Sequence, residues 1–439
     1  MKLNSLYIIF AAVLCLIACT RNNEIDGKQI YIPHELQNID FNNPESKWCY
    51  KHSRLTTNLA IFWEDKFGND PSSAPCLNGN NMTVDIDLLA QKLESFYSFF
   101  RDTLQFIREG SKADSLRMMV MLNYSLDGTA YGGDYDQTIG ALWVAPNRIQ
   151  DKQMNCMAHE LGHSFQSQII CDKQGKGWGG CGFYEMASQW MLWQVNPNWI
   201  TDEEYHWKAF CSLTHKAFLH IENIYHSPYI LEYWAEKHGR PFIAELFRQG
   251  LETEDPAMTY IRINNLTQSQ FCDEMFEASR RVVNLDFEHA YSQTRQHALL
   301  FDTQLECHGE WYQPTPQNAP ENYGFNAIKL QPLKHNEQII IYFHGLVDDK
   351  NYTMVNPNKA GWRYGLMATD ANGVSHYSAI GRDNIGQIFY KPSFDTQTLW
   401  LVVMGAPQEH WQNPSPNAMH DAQWPYKFKV VKIKTACNQ

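Results

Sequence analysis

The segment His159-Glu160-Leu161-Gly162-His163 constrains this chain more than any other stretch of its 439 residues. On a helix, residues i and i+4 stand one turn apart on the same face, so both imidazoles can reach one point. The H-E-x-x-H spacing sets a carboxylate, Glu160, beside that point, where it can take a proton from water. Two histidine nitrogens, an adjacent base and room for a third ligand are the requirements of a hydrolytic zinc site. The flanking residues predict a helix over 151–170, because Met154, Met157, Leu161 and Phe165 recur at three- and four-residue spacing. Before it, Gly140-Ala141-Leu142-Trp143-Val144-Ala145-Pro146 reads as a short strand closed by a turn. Such a strand is placed to border a cleft and to pair with an extended substrate.

A third ligand is expected downstream. After the glycine-rich loop 175–182, the run Phe183-Tyr184-Glu185-Met186-Ala187-Ser188-Gln189-Trp190-Met191-Leu192-Trp193 has helical spacing, with Glu185 near its start. Here the sequence resembles the gluzincins, zinc peptidases with a H-E-x-x-H helix and a glutamate ligand on a following helix. Their second histidine and ligand glutamate lie about twenty residues apart, and His163 to Glu185 fits. The H-E-x-x-H-x-x-Q form, ending at Gln166, is similar to a group of secreted bacterial peptidases and to the enhancin-like, mucin-targeting peptidases. The resemblance implies Zn²⁺ held by His159, His163 and Glu185, with Glu160 as general base. It is specific across residues 140–193. One departure concerns the outer shell: thermolysin-type enzymes carry Asp four residues after the ligand Glu, and this chain has Gln189 there, beside Ser188. The tryptophans Trp190, Trp193 and Trp199 are expected in the core.

The first residues bear on the compartment. After Met1-Lys2, an apolar run over 6–16 has signal-peptide length and is shorter than a membrane span. It ends in Leu16-Ile17-Ala18-Cys19, which resembles a bacterial lipobox. The resemblance implies cleavage before Cys19, a lipid on that cysteine, and an exported lipoprotein at the bacterial outer membrane or cell surface. A net charge of −12 argues against nucleic acid as a partner. Of eleven cysteines, nine follow Cys19, and an odd number cannot all pair internally. Cys171 and Cys181 are the candidate pair, closing the loop before Glu185.

Periodicity suggests an α+β chain: a signal segment over 1–18, a tether over 19–50, a zincin-like catalytic domain over 51–305 and a β-sandwich domain over 306–437. The strand-like run Leu59-Ala60-Ile61-Phe62-Trp63, a helix over 86–109 and a strand over 118–122 predict an α/β half ending in the metal helix. Residues 183–285 are mostly helical, with helices over 227–238 and 241–250. Six strand-like runs follow, over 338–343, 362–369, 374–380, 388–390, 399–404 and 426–433, with Asp370-Ala371-Asn372-Gly373 as a hairpin turn. The proline-rich segment 313–323 reads as the linker between the two domains.

The resulting expectation is a zinc-dependent endopeptidase acting on extracellular proteins or glycoproteins. Tyr225 and His226, placed on a helical segment, are the candidates for donors to the developing oxyanion, with Tyr229 a third. Two other classes fit the same sequence: a non-catalytic surface binding lipoprotein built on the same scaffold, and a hydrolase of another bond.

Overall fold

A computed structural model describes residues 27–178, 182–347, 349–354, 356–411 and 422–434. The expected signal segment, Cys19 and the tether up to residue 26 lie outside the described residues, as do Cys181 and Cys437. The described residues form an α+β chain with ten α-helices and fourteen strands. It divides into two compact units, Met1–Lys176 and Gly177–Gln439. No helix among the described residues is long and apolar enough to cross a membrane.

The first unit is built on a five-stranded sheet of order β1-β2-β3-β5-β4. Its strands are β1 (Ser53–Leu55), β2 (Leu59–Trp63), β3 (Met118–Leu122), β4 (Ala130–Tyr135) and β5 (Ile139–Val144). β2, β3 and β5 run parallel, and β1 and β4 are antiparallel outer strands. β2 and β3 are apolar and buried along their whole length, as strands covered on both faces require. Helix α1 (Ile86–Asp102) crosses from β2 to β3, capped by Asp85, whose side chain accepts from Leu88 N. Helix α2 (Asn155–Cys171) follows β5. Phe165 of α2 meets Tyr97 and Phe100 of α1, with ring centroids 4.9 and 5.4 Å apart.

Polar ties fix α2 to the sheet. Ser164 Oγ donates to Ala141 O at 2.7 Å, and Gln168 Oε1 accepts from Gly140 N at 2.9 Å. At Gly132 the strand meets the helix with no side chain between them: a Cβ there would overlap the Glu160 carbonyl oxygen and stand 2.8 Å from His163 Cβ.

Two expectations about this unit are corrected. The segment 140–146 is not the outer strand; β5 lies between β3 and β4, and β4 is the outer strand. The tether does not extend to residue 50. Ile30, Leu36, Phe41 and Trp48 are buried, the Phe41 ring packs 5.4 Å from Phe62, and Lys28 Nζ donates to Asn58 Oδ1 at 2.7 Å. Four apolar side chains within twenty residues are better buried than solvated.

The second unit begins with α3 (Phe183–Val195), α4 (Trp199–Asp202), α5 (Glu204–Leu213), α6 (Tyr229–His238), α7 (Phe242–Gln249), α8 (Pro256–Ile263), α9 (Gln268–Val283) and α10 (Tyr291–Thr294). Trp190, Trp193 and Trp199 are fully buried, as expected. The strands are β6 (Leu305–His308), β7 (Trp311–Pro314), β8 (Phe325–Leu330), β9 (Glu337–Gly345), β10 (Trp362–Thr369), β11 (Ser375–Tyr377), β12 (Ile385–Tyr390), β13 (Thr398–Gly405) and β14 (Tyr426–Lys434). They make two antiparallel sheets, β11-β10-β13-β8 and β12-β9-β14-β7-β6. Alternate residues of both, among them Ile341, Phe343, Trp362, Leu366, Leu401 and Tyr426, share one core, an arrangement compatible with a β-sandwich. The turn at 370–373 joins β10 to β11, with Gly373 at φ +79°.

The chain therefore divides after Lys176 rather than near residue 305. Helix α9 is locked to the strands: Arg363 Nε donates to Asp273 Oδ1 at 2.6 Å, and Arg280 Nη1 donates to Ser378 O at 2.7 Å. Nor is 313–323 a free linker. It contains the end of β7, and Glu321 and Tyr323 are buried. Glu321 Oε2 accepts from Ala217 N at 2.8 Å, and Pro320 O accepts from Trp424 N at 2.7 Å.

Replacing Gly132 with Ala must push β4 off α2. Overpacking of this kind costs about 1–3 kcal/mol, so urea unfolding of Gly132→Ala should show a lower midpoint. An unchanged midpoint would contradict the close approach.

Candidate metal centre

Helix α2 starts where Met154 adopts a left-handed conformation (φ 56°) and Asp151 Oδ1 accepts the Met154 N–H at 2.5 Å. One turn further on, His159 is buried and His163 half-buried. Their rings meet edge to face with centroids 4.8 Å apart, and the two Nε2 atoms are 3.1 Å apart. Two ligand nitrogens on one tetrahedral zinc, each at about 2.0–2.1 Å, would stand roughly 3.3 Å from one another. The observed pair fits that demand with little adjustment.

The tautomer is fixed by a neighbour. Gln166 Oε1 lies 3.0 Å from His163 Nδ1. A carboxamide oxygen only accepts, so Nδ1 carries the proton and Nε2 presents its lone pair. Gln166 is fully buried, which holds its amide in place. The sequence marked Gln166 only as part of a pattern; its spacing of three residues from His163 was the signal that it shares that helix face.

Glu160 turns to the strand. Its Oε2 accepts the Gly132 N–H at 2.9 Å. That N–H goes to Glu160 rather than to β5, so Gly132 is one of the residues whose backbone groups face the open side of β4. Glu185 stands in the first turn of α3, half-buried. Among the described residues, His159, His163 and Glu185 form a group of metal-capable side chains whose ligand atoms all lie within 4.8 Å of one another.

One turn along α3 from Glu185, Gln189 Nε2 donates to Tyr225 O at 2.8 Å and lies 3.3 Å from His206 Nε2. Gln189 thus holds the segment that carries the two expected oxyanion donors. That segment is a turn ahead of α6 and not a helix, a correction to the sequence reading; Pro228 restricts the residue before it and starts the helix late. The Tyr225 side chain is exposed. His226 Nδ1 is 2.6 Å from His206 Nδ1, and burial first, then the neighbouring His206, pull its pKa down to about 4. Tyr229 is fully buried and is not available as a donor to substrate. Cys171, expected to pair with Cys181, is a free buried thiol whose pKa burial pushes up to about 12.

Removing the Gln166 carboxamide that accepts from His163 should weaken metal binding without unfolding the helix. Gln166→Leu is expected to weaken zinc binding by about 10–100-fold in a competition titration with a chromogenic chelator. Unaltered affinity would mean that His163 is oriented by something else.

No curated protein matches the sequence at a significant level. One family model does, over residues 22–436, and so runs through both units. The chain belongs to DUF6055, a family of unknown function.

Proposed function

We propose that this chain is a zinc-dependent peptidase of the gluzincin type that acts on extracellular proteins or glycoproteins. The observation that carries the reading is the convergence of His159 and His163, Nε2 to Nε2 at 3.1 Å, in one group with the Glu185 carboxylate. When bound, zinc would polarise the scissile carbonyl and lower the pKa of a water molecule. The remaining work belongs to the protein. Gln166 keeps His163 in the ligating tautomer, and the Gly132 N–H steadies the Glu160 carboxylate. Glu160 takes the proton from the attacking water and delivers it to the leaving amine.

The mixed sheet, with a parallel centre, an antiparallel outer strand and the motif helix on its face, supports a zincin-like first unit. Strand β4 offers backbone groups to an extended peptide, which would lie beside Glu160. Tyr225 and His226 are the proposed donors to the oxyanion. With its pKa lowered, His226 is neutral near pH 7 and acts as an N–H donor rather than as a cation. The lipobox-like Leu16-Ile17-Ala18-Cys19 supports export and a membrane tether through Cys19. The net charge of −12 speaks against a nucleic-acid partner.

Glu160→Gln is nearly isosteric and cannot accept a proton. It should retain zinc and lose roughly 10²–10⁴ in kcat on a peptide that the wild type cleaves. Full activity in this variant would refute the general-base role. A wild type that holds zinc and cleaves no peptide or glycoprotein would refute the peptidase reading and leave a binding protein on the same scaffold.

A further inference from the structure

Strand β4 has a second face. Its register with β5 pairs Gly132 with Leu142 and Asp134 with Gly140 on the side of α2. Tyr131, opposite Trp143, and Gly133, opposite Ala141, therefore fall on the other side. On that side the Tyr131 and Trp143 rings lie 5.7 Å apart and tilted by 37°, and Tyr135 meets Trp143 edge-on at 4.8 Å. Trp143 Nε1 donates to the Tyr135 hydroxyl at 3.0 Å, which fixes the indole. Tyr131 is 61% exposed although it belongs to a sheet whose other aromatic side chains are largely covered. Its ring leans over Gly133: a Cβ on that glycine would stand 3.1 Å from Tyr131 Cε1. The result is an aromatic shelf on an outer strand, with the exposed Tyr131 ring lying over a glycine.

We propose that Tyr131, Gly133 and Trp143 form a substrate subsite that selects an aromatic side chain in an extended peptide. The proposal rests on the peptidase reading above and specifies its substrate class. Residues directly opposite one another in an antiparallel pair point to the same face. Gly132 is the residue joined to Glu160 and abutting His163, so the substrate residue opposite it faces the metal helix. The residues on either side of that one, opposite Tyr131 and Gly133, turn to the shelf. Gly133 is buried beneath the Tyr131 ring, so the open surface on this side is that exposed ring, and an aromatic side chain of the substrate would stack against it. A short or charged side chain gains no such contact. Tyr131 and Trp143 are positioning and specificity residues; neither touches the reacting atoms.

The test uses the zinc-loaded full chain and two peptides that differ only by Phe or Ala at one position next to the cleaved bond. The wild type should prefer Phe, mainly through KM. In Tyr131→Ala the Phe-over-Ala ratio of kcat/KM should fall about tenfold, and Tyr131→Phe should restore it. A wild type without the preference, or a Tyr131→Ala that keeps it, overturns the subsite while peptide cleavage itself stands. If the wild type cleaves neither peptide, the subsite is decided by the affinities of the same peptides, and the peptidase reading is judged separately on a wider set of peptides and glycoproteins. A Phe preference in Kd that Tyr131→Ala abolishes supports it, and equal affinities overturn it.

Discussion

The candidate site depends on a helix lying directly against a strand. At Gly132 the backbone of β4 touches the backbone of α2, and nothing larger than a hydrogen atom fits between them. This contact brings the Gly132 N–H within 2.9 Å of the Glu160 carboxylate and presses the strand against the turn that carries His163. Ser164 and Gln168 secure the same helix to β5 from its buried side. A hydrolytic site needs its base and its ligands held to within a fraction of an ångström, and a rigid helix–sheet contact achieves that better than a loop does. The side chains behind these residues are held in the same way. Gln166, on the helix itself, orients His163, while Gln189 supports the turn bearing Tyr225 and His226. With Gln189 where thermolysin-type enzymes carry Asp, His163 still has an orienting partner in Gln166.

Much of this was legible in the sequence because it depends on local spacing. Helix α2, β2, β3, β10 and the α3 position of Glu185 all follow from runs whose period matches a single secondary structure. What was missed shares one physical cause: residues whose local preference is overruled by packing. Ala130-Tyr131-Gly132-Gly133-Asp134-Tyr135 has two glycines, which lower strand propensity, so β4 did not stand out. Glycine inside a strand also marks a close backbone approach, and that is its role at Gly132. The prolines of 313–323 suggested a linker, yet Pro314 ends a strand and Pro316 starts a short 3₁₀ turn, positions where a missing N–H is harmless. The early division between units had no compositional signal, because Asp273–Arg363 and Arg280–Ser378 are contacts across about ninety residues or more of sequence.

The second unit carries its polar burden inside. Glu232 is buried, accepts from Trp190 Nε1 at 2.8 Å and Gln194 Nε2 at 2.7 Å, and has its pKa raised, chiefly by burial. Two donors on α3 thereby engage one carboxylate on α6. A buried carboxylate is tolerable only when its hydrogen bonds are met, and meeting them fixes how α3 and α6 pack. Helix α3 also carries Glu185.

The central claim is that His159, His163 and Glu185 share one metal ion. Zinc K-edge X-ray absorption on the zinc-loaded full chain tests it most directly. The account predicts one zinc per chain with nitrogen and oxygen neighbours at about 2.0–2.1 Å and the scattering pattern of two imidazoles. A sulfur shell at about 2.3 Å, or failure to retain zinc in stoichiometric amount, would contradict it.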